Sequence, residues 1–265
     1  KGIRALDEQT AEAGKAAEDR FLQSYPFHPD LTNTLYTKWT SLEGFQRTRG
    51  VLRTFALALR EAETWDTAPL IGASVFLSDP DDGSLSEAAR ELTSIAEKEE
   101  YEGKRQEWSA ILLGELEKAT VIQAQYPMLR HRELERAVFA TFLHSQPIGQ
   151  KAYTRDLLVL LGQTRPDRIE LEKALHGWTE VSWFLDEDVM EQDVTATEQA
   201  LPRAWRLGTK PNLTQMHHDA CENRVRPEMV EQHLLQAIER LTNLTAGAKG
   251  AGARVHMLPD SPADV

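Results

Sequence analysis

Arginines at positions 47, 49, 53 and 60 are the residues whose type and spacing point most directly to chemistry. Phe45-Gln46-Arg47-Thr48-Arg49-Gly50-Val51-Leu52-Arg53 leads into a helical run reaching Glu63. Val51, Leu52, Phe55, Ala56, Leu59 and Ala62 recur there at spacings of three and four, which predicts one buried stripe. Arg53 and Arg60 are seven apart and share a face, joined by Arg49 if the helix starts that early. Exposed N–H groups already make a helix start positive, and only Glu43 lies near in sequence to offset the added cations. Such a site suits phosphate, from a nucleotide or a nucleic-acid backbone. In an acidic chain the same arginines can instead bridge to carboxylates elsewhere. Both readings stand at this level.

The elements that must position these residues are mainly helical. Residues 1–24 are polar and helix-forming, with weak periodicity through Ala13, Ala17, Phe21 and Leu22. Tyr25-Pro26-Phe27-His28-Pro29-Asp30 is a turn, and Pro29 can start a short helix with Leu31, Leu35, Tyr36 and Trp39 as its apolar face. After the arginine element, 66–82 is irregular, with a short extended piece at Leu70–Leu77. Two helices then fill 84–125, broken near Tyr101–Lys104. Ser84 or Ser86 caps the first, and Glu87 would complete a capping box with Ser84. Leu92, Ile95 and Ala96 form the inner face of that helix; Trp108, Ile111, Leu112, Leu116 and Ala119 form that of the next, with the charges turned to solvent. A further helix spans 129–143 around Leu134, Val138, Phe139 and Phe142.

From Lys151 the pattern changes. A short helix at Leu157–Leu161 precedes one capped by Asp167, with Leu171, Ala174 and Leu175 inside. Val181–Asp186 and Ala204–Leu207 alternate like two strands around an acidic insertion, 187–199. Short helices followed by a two-stranded ribbon is the order of a winged helix. On that ribbon Arg203, Arg206 and Lys210 form a small basic group near Trp205, suited to phosphate contacts. The same stretch carries Asp186, Glu187, Asp188, Glu191, Asp193 and Glu198, which favours a protein-contact or spacer role over nucleic acid. A last helix, 227–244, shows Val230, Leu234, Ala237, Ile238 and Leu241; the Ala/Gly-rich 245–253 reads as a linker and 254–259 as the start of a strand. The expected fold is therefore mainly α, a helical bundle over 1–145 followed by a winged-helix-like α+β unit over 146–220 and a C-terminal segment over 221–265.

Composition narrows the function classes. A formal net charge of −12 argues against broad binding to nucleic acid or anionic membrane while leaving room for a local basic groove. One cysteine, Cys221, excludes an internal disulfide and a Cys-rich zinc site, and fits a reducing, cytoplasmic setting. No apolar run approaches the roughly 20 residues of a spanning helix. The phosphate-loop pattern and the Gly-x-Ser-x-Gly, His-Glu-x-x-His and Gly-x-Gly-x-x-Gly motifs are missing, so no catalytic residue is assigned. His217-His218-Asp219-Cys221 suggests a metal, but adjacent histidines on a helix diverge by about 100 degrees. A solvated helix with a buried Cys221 is expected instead, and no metal site.

Two segments resemble a known family. Ser24-Tyr25-Pro26-Phe27-His28-Pro29-Asp30-Leu31 and 45–53 look like the signature of large bacterial AAA-like ATP-binding proteins associated with anti-phage systems (domain-of-unknown-function family 499). Phe142-Leu143-His144-Ser145, Trp183-Phe184-Leu185, Pro211-Asn212-Leu213 and 259–265 are similar to later parts of that family. The resemblance implies a fragment, a helical lid followed by a winged-helix-like unit, with the phosphate loop and Mg²⁺-binding strand lying upstream. Gly50-Val51-Leu52-Arg53 is similar to the Gly-x-x-Arg that opens a lid helix, which would make Arg53 the sensor arginine reaching the terminal phosphate of ATP. Arg47 and Arg49 would then touch nucleotide, a neighbouring subunit or nucleic acid. ATP and Mg²⁺ would be cofactors of the parent protein, bound by its upstream core and not by this part alone. DNA, a DNA methyltransferase or a helicase would be its partners, and no membrane.

Overall fold

Local signals set most helix boundaries in the computed structural model, which describes residues 2–101, 104–190, 201–223 and 225–240. Asp7 accepts from the Thr10 amide and starts α2 (Glu8–Ala13), between α1 (Gly2–Leu6) and α3 (Lys15–Ser24). His28 caps α4 (Pro29–Thr37) by accepting from the Asp30 amide, with Pro29 in the first turn, where its missing N–H costs nothing. α5 (Arg47–Ala62) is the arginine element. Ser86 caps α6 (Glu87–Ile95) through the Ala89 amide, and Asp167 caps α10 (Arg168–Val181) through the Glu170 amide. The capping box drawn from Ser84 to Glu87 does not form, because the helix begins after Ser86 and the Glu87 amide donates to Glu61.

A two-residue hairpin, β1 (Glu100–Tyr101) on β2 (Lys104–Arg105), supplies the break before α7 (Trp108–Gln123). α8 (Glu133–His144) follows, and all twelve of its residues are buried. It packs most extensively on α7 and also meets α4, α10 and α9 (Thr154–Leu161). Around it the aromatic rings close the core: Phe139 stacks on Phe76, and Trp39 and Trp108 pack against Phe142. That core runs without a break from Leu6 to Leu207.

β3 (Ala152–Tyr153) pairs antiparallel with β4 (Ala204–Trp205), in the register Ala152 opposite Trp205, and Leu185 bridges antiparallel to Leu207. α11 (Glu187–Met190) follows the Leu185 bridge. Contacts divide the chain into one unit ending at Gln215 and a second beginning at Met216, within α12 (Leu213–Asn223). The second also holds α13 (Pro227–Arg240).

Several expectations need correcting. Leu52 and Ala56 are exposed, and the buried line of α5 is Thr54, Phe55, Ala58 and Ala62, rotated from the predicted stripe. Tyr36 is exposed, and Leu70–Leu77 is mostly a 3-10 turn, Ala73–Phe76, although Ile71 does bridge Phe27. Val181 ends α10 instead of opening a strand, since burial of Trp178 carries the helix one turn further. α8 starts at Glu133, not 129. The predicted insertion beyond 190, the linker and the terminal strand lie outside the described residues.

Candidate functional site

The start of α5 lacks a cap. Gln46 makes no side-chain bond to the first turn, and that turn has no acidic residue. Its free N–H groups therefore keep their partial positive charge. Arg47 is held at φ 45, turning the chain sharply into the helix, and Phe45 is buried beneath it. Phe45 also explains Gly50: a Cβ there would lie 3.1 Å from its ring. Arg53 Nε donates to Glu91 Oε1 at 2.8 Å, and Arg60 pairs with Glu87. Both carboxylates come from α6, one turn apart, so the helix packed against α5 supplies the counter-charge that local sequence did not. The side chains of Arg47 and Arg49 are exposed and have no ion pair among the described residues.

Arg49, Gly50 and Arg53 line one shallow cleft of about 190 Å³ with Gly44, Phe45, Gln46, Glu91 and Ile95. Arg47 is not on it, and Arg60 lines a different one. The fold thus brings Arg49 and Arg53 together and separates the other two. Two guanidinium groups and one carboxylate leave the cleft with a positive excess. Its volume is below that of whole-ligand pockets, which begin near roughly 300 Å³. It can accept a phosphate-sized group of a molecule held elsewhere.

The ribbon trio does not form one basic group. Arg206 Nε donates to Asp186 at 2.9 Å, and Lys210 Nζ lies 3.6 Å from Glu99. These two line a cleft of about 390 Å³, whereas Arg203 is exposed outside it. Trp205 is fully buried, stacked on Trp178 with its Nε1 donating to Thr154, so it offers no surface to a base.

Sequence reasoning missed the buried polar groups. His28 Nε2 sits 3.2 Å from the Val159 carbonyl, and His144 lies between Thr34 and Lys38. Burial pushes His28 down to about 4, partly opposed by Asp30, and His144 to about 3, helped by Lys38. Arg136 donates to Thr164 and to the Leu160 carbonyl, and burial lowers it to about 10. These groups bond protein atoms and tie the bundle together, with Arg136 Nε alone among their ring and guanidinium nitrogens buried without a partner. Among the described residues no group of three or more His, Cys, Asp or Glu could hold a metal ion. Cys221, expected to be buried, is exposed, with Sγ 3.7 Å from His217 Nε2. Among the described residues no helix is long and apolar enough to cross a membrane.

Comparison with known proteins finds no matching family model, no matching curated protein and no matching solved structure.

Proposed function

We propose that this chain is the lid and winged-helix portion of an AAA-like ATPase of a DNA-modification or phage-defence system. The observation that carries this reading is the uncapped start of α5, where Arg49 and Arg53 line a phosphate-sized cleft. ATP and Mg²⁺ sit on a core elsewhere in the polypeptide, and Arg53 reaches the terminal phosphate, exchanging Glu91 for it. The exposed Arg53–Glu91 pair suits such an exchange, because a solvated ion pair costs at most about 1 kcal/mol to open. Lid closure then carries the rest of the first unit, which ends at Gln215, as a rigid body.

The winged-helix reading rests on element order: α8, β3, α9, α10, the bridge residue Leu185, then β4, with β3 paired to β4 and Leu207, two residues past β4, bridged to Leu185. In that reading α10 would be the recognition helix. It carries Glu170, Glu172 and Glu180, and its Arg168 is paired with Glu172. With Arg206 and Lys210 also paired, this face suits a protein such as a methyltransferase or helicase better than a DNA backbone.

ATP hydrolysis by the full polypeptide, with and without double-stranded DNA, tests the proposal. Arg53→Ala should lower turnover roughly 10²-fold or more while nucleotide binding is largely retained. Unchanged turnover removes the nucleotide role from α5 and leaves the chain as a docking module.

A further inference from the structure

The cleft of about 390 Å³ beside the ribbon is built from the loop after α8, the segment before β1, and the two stretches Phe184–Glu187 and Arg206–Thr214. Its lining carries four carboxylates, Glu97, Glu99, Asp186 and Glu187, against two cations, Arg206 and Lys210. Both cations are already committed, Arg206 to Asp186 and Lys210 to Glu99. Glu97 accepts from the Ile148 amide at 2.9 Å and Glu187 from Asn212 Nδ2 at 2.6 Å, so neither has a cationic partner among the described residues. The cleft is left with two uncompensated negative charges.

A second feature is independent of that charge. Gln146 also lines the cleft and is only 1% exposed. Its Oε1 accepts from the Glu97 amide at 3.0 Å, which fixes the orientation of the amide, while Nε2 has no partner among the described residues. An amide donor left free in this way can be met by an acceptor that enters the cleft. Phe184, Leu185 and Pro211 add apolar wall.

We infer that this cleft binds an arginyl or lysyl residue, its cationic head between Glu97 and Glu187 and its carbonyl oxygen on Gln146 Nε2. The volume is at the low end for ligand sites and matches one long side chain with its backbone, not a nucleotide. The apolar wall receives the methylene stem, as long cationic side chains generally prefer. This site is separate from the α5 cleft and does not depend on the ATPase reading.

The test is calorimetric titration of the whole chain with N-acetyl-arginine methylamide and its lysine counterpart. Free arginine and N-acetyl-glutamine methylamide run in parallel. Saturable binding of a blocked basic residue, weakening as salt rises, is expected, with the glutamine compound silent. Tighter binding of the blocked form identifies the source as a peptide, and tighter binding of free arginine identifies an amino-acid site. Glu97→Gln and Glu187→Gln keep an acceptor for Ile148 and Asn212 and should each weaken binding by about tenfold, with unchanged thermal melting. No saturation by either basic compound, equal binding of the glutamine compound, or indifference to both substitutions would overturn the assignment.

Discussion

Glu115 shows how far a single residue can depart from its composition. On α7 it follows Ile111 and Leu112 and precedes Ala119, so helical spacing alone puts it on the apolar face, yet its charge argues for solvent. The fold resolves the conflict with donors distant in sequence: Trp178 Nε1 at 2.8 Å and the Trp183 amide at 3.1 Å, joined by Lys118 Nζ at 3.2 Å. Removing the carboxylate strands the buried Trp178 donor and the half-buried Trp183 amide. Glu115→Ala should therefore lower unfolding free energy by about 3 kcal/mol in urea titration, and Glu115→Gln, which keeps one acceptor, by clearly less. Arg53 is the opposite case. Its pair with Glu91 is largely exposed, so Arg53→Ala should cost under about 1 kcal/mol in the same assay. A larger loss would make Arg53 a structural residue and would confound any fall in ATP turnover.

At the scale of elements, what sequence revealed was what neighbours in the chain decide. Asp167 and Ser86 were readable as caps because a cap bonds an amide three residues away. Ser86 also donates to the Phe76 carbonyl at 2.6 Å, tying α6 to the 3-10 turn. Ser86→Ala should consequently cost about 2 kcal/mol by chemical denaturation, and Asp167→Ala, whose cap is exposed, about 1 kcal/mol. Equal losses would mean that the Phe76 bond adds nothing. Burial of the polar residues of α8 was not readable. Glu133, Glu135 and Arg136 look like a solvated face, but Glu133 accepts the His131 amide, Arg132 grips Glu135 from a left-handed conformation, and Thr164 receives Arg136. The arginine element divides along the same line. Its helix and the charge at its start were legible from 45–63, while Glu87 and Glu91 were not, because they arrive on another helix.

For the molecule as a whole, a core continuous from Leu6 to Leu207 makes local charge a global matter, since a group buried in it cannot ionise without straining the unit. His28 and His144 are two such groups, at the start of α4 and the end of α8, with ordinary values of 6.5 lowered to about 4 and about 3. Both are neutral when folded at neutral pH. Once unfolded, each takes up a proton below pH 6.5, well before the folded chain does. Their contribution to stability is therefore full above pH 6.5 and is lost as pH falls from there through about 4, at up to about 1.4 kcal/mol per pH unit for each histidine. Asp7 is held below its usual value by Thr10 and Arg155, against the opposing effect of its own burial, and withdraws its contribution only in more acid solution. Urea unfolding of the whole chain at pH 7.5, 6 and 5 should show stability dropping between the last two, with one cooperative transition. His144→Gln, which can still bond Thr34, should roughly halve that slope. A flat profile from pH 7.5 to 5 would mean that the imidazoles reach water in the folded state, and that α8 is not the sealed centre on which the rest of this unit packs.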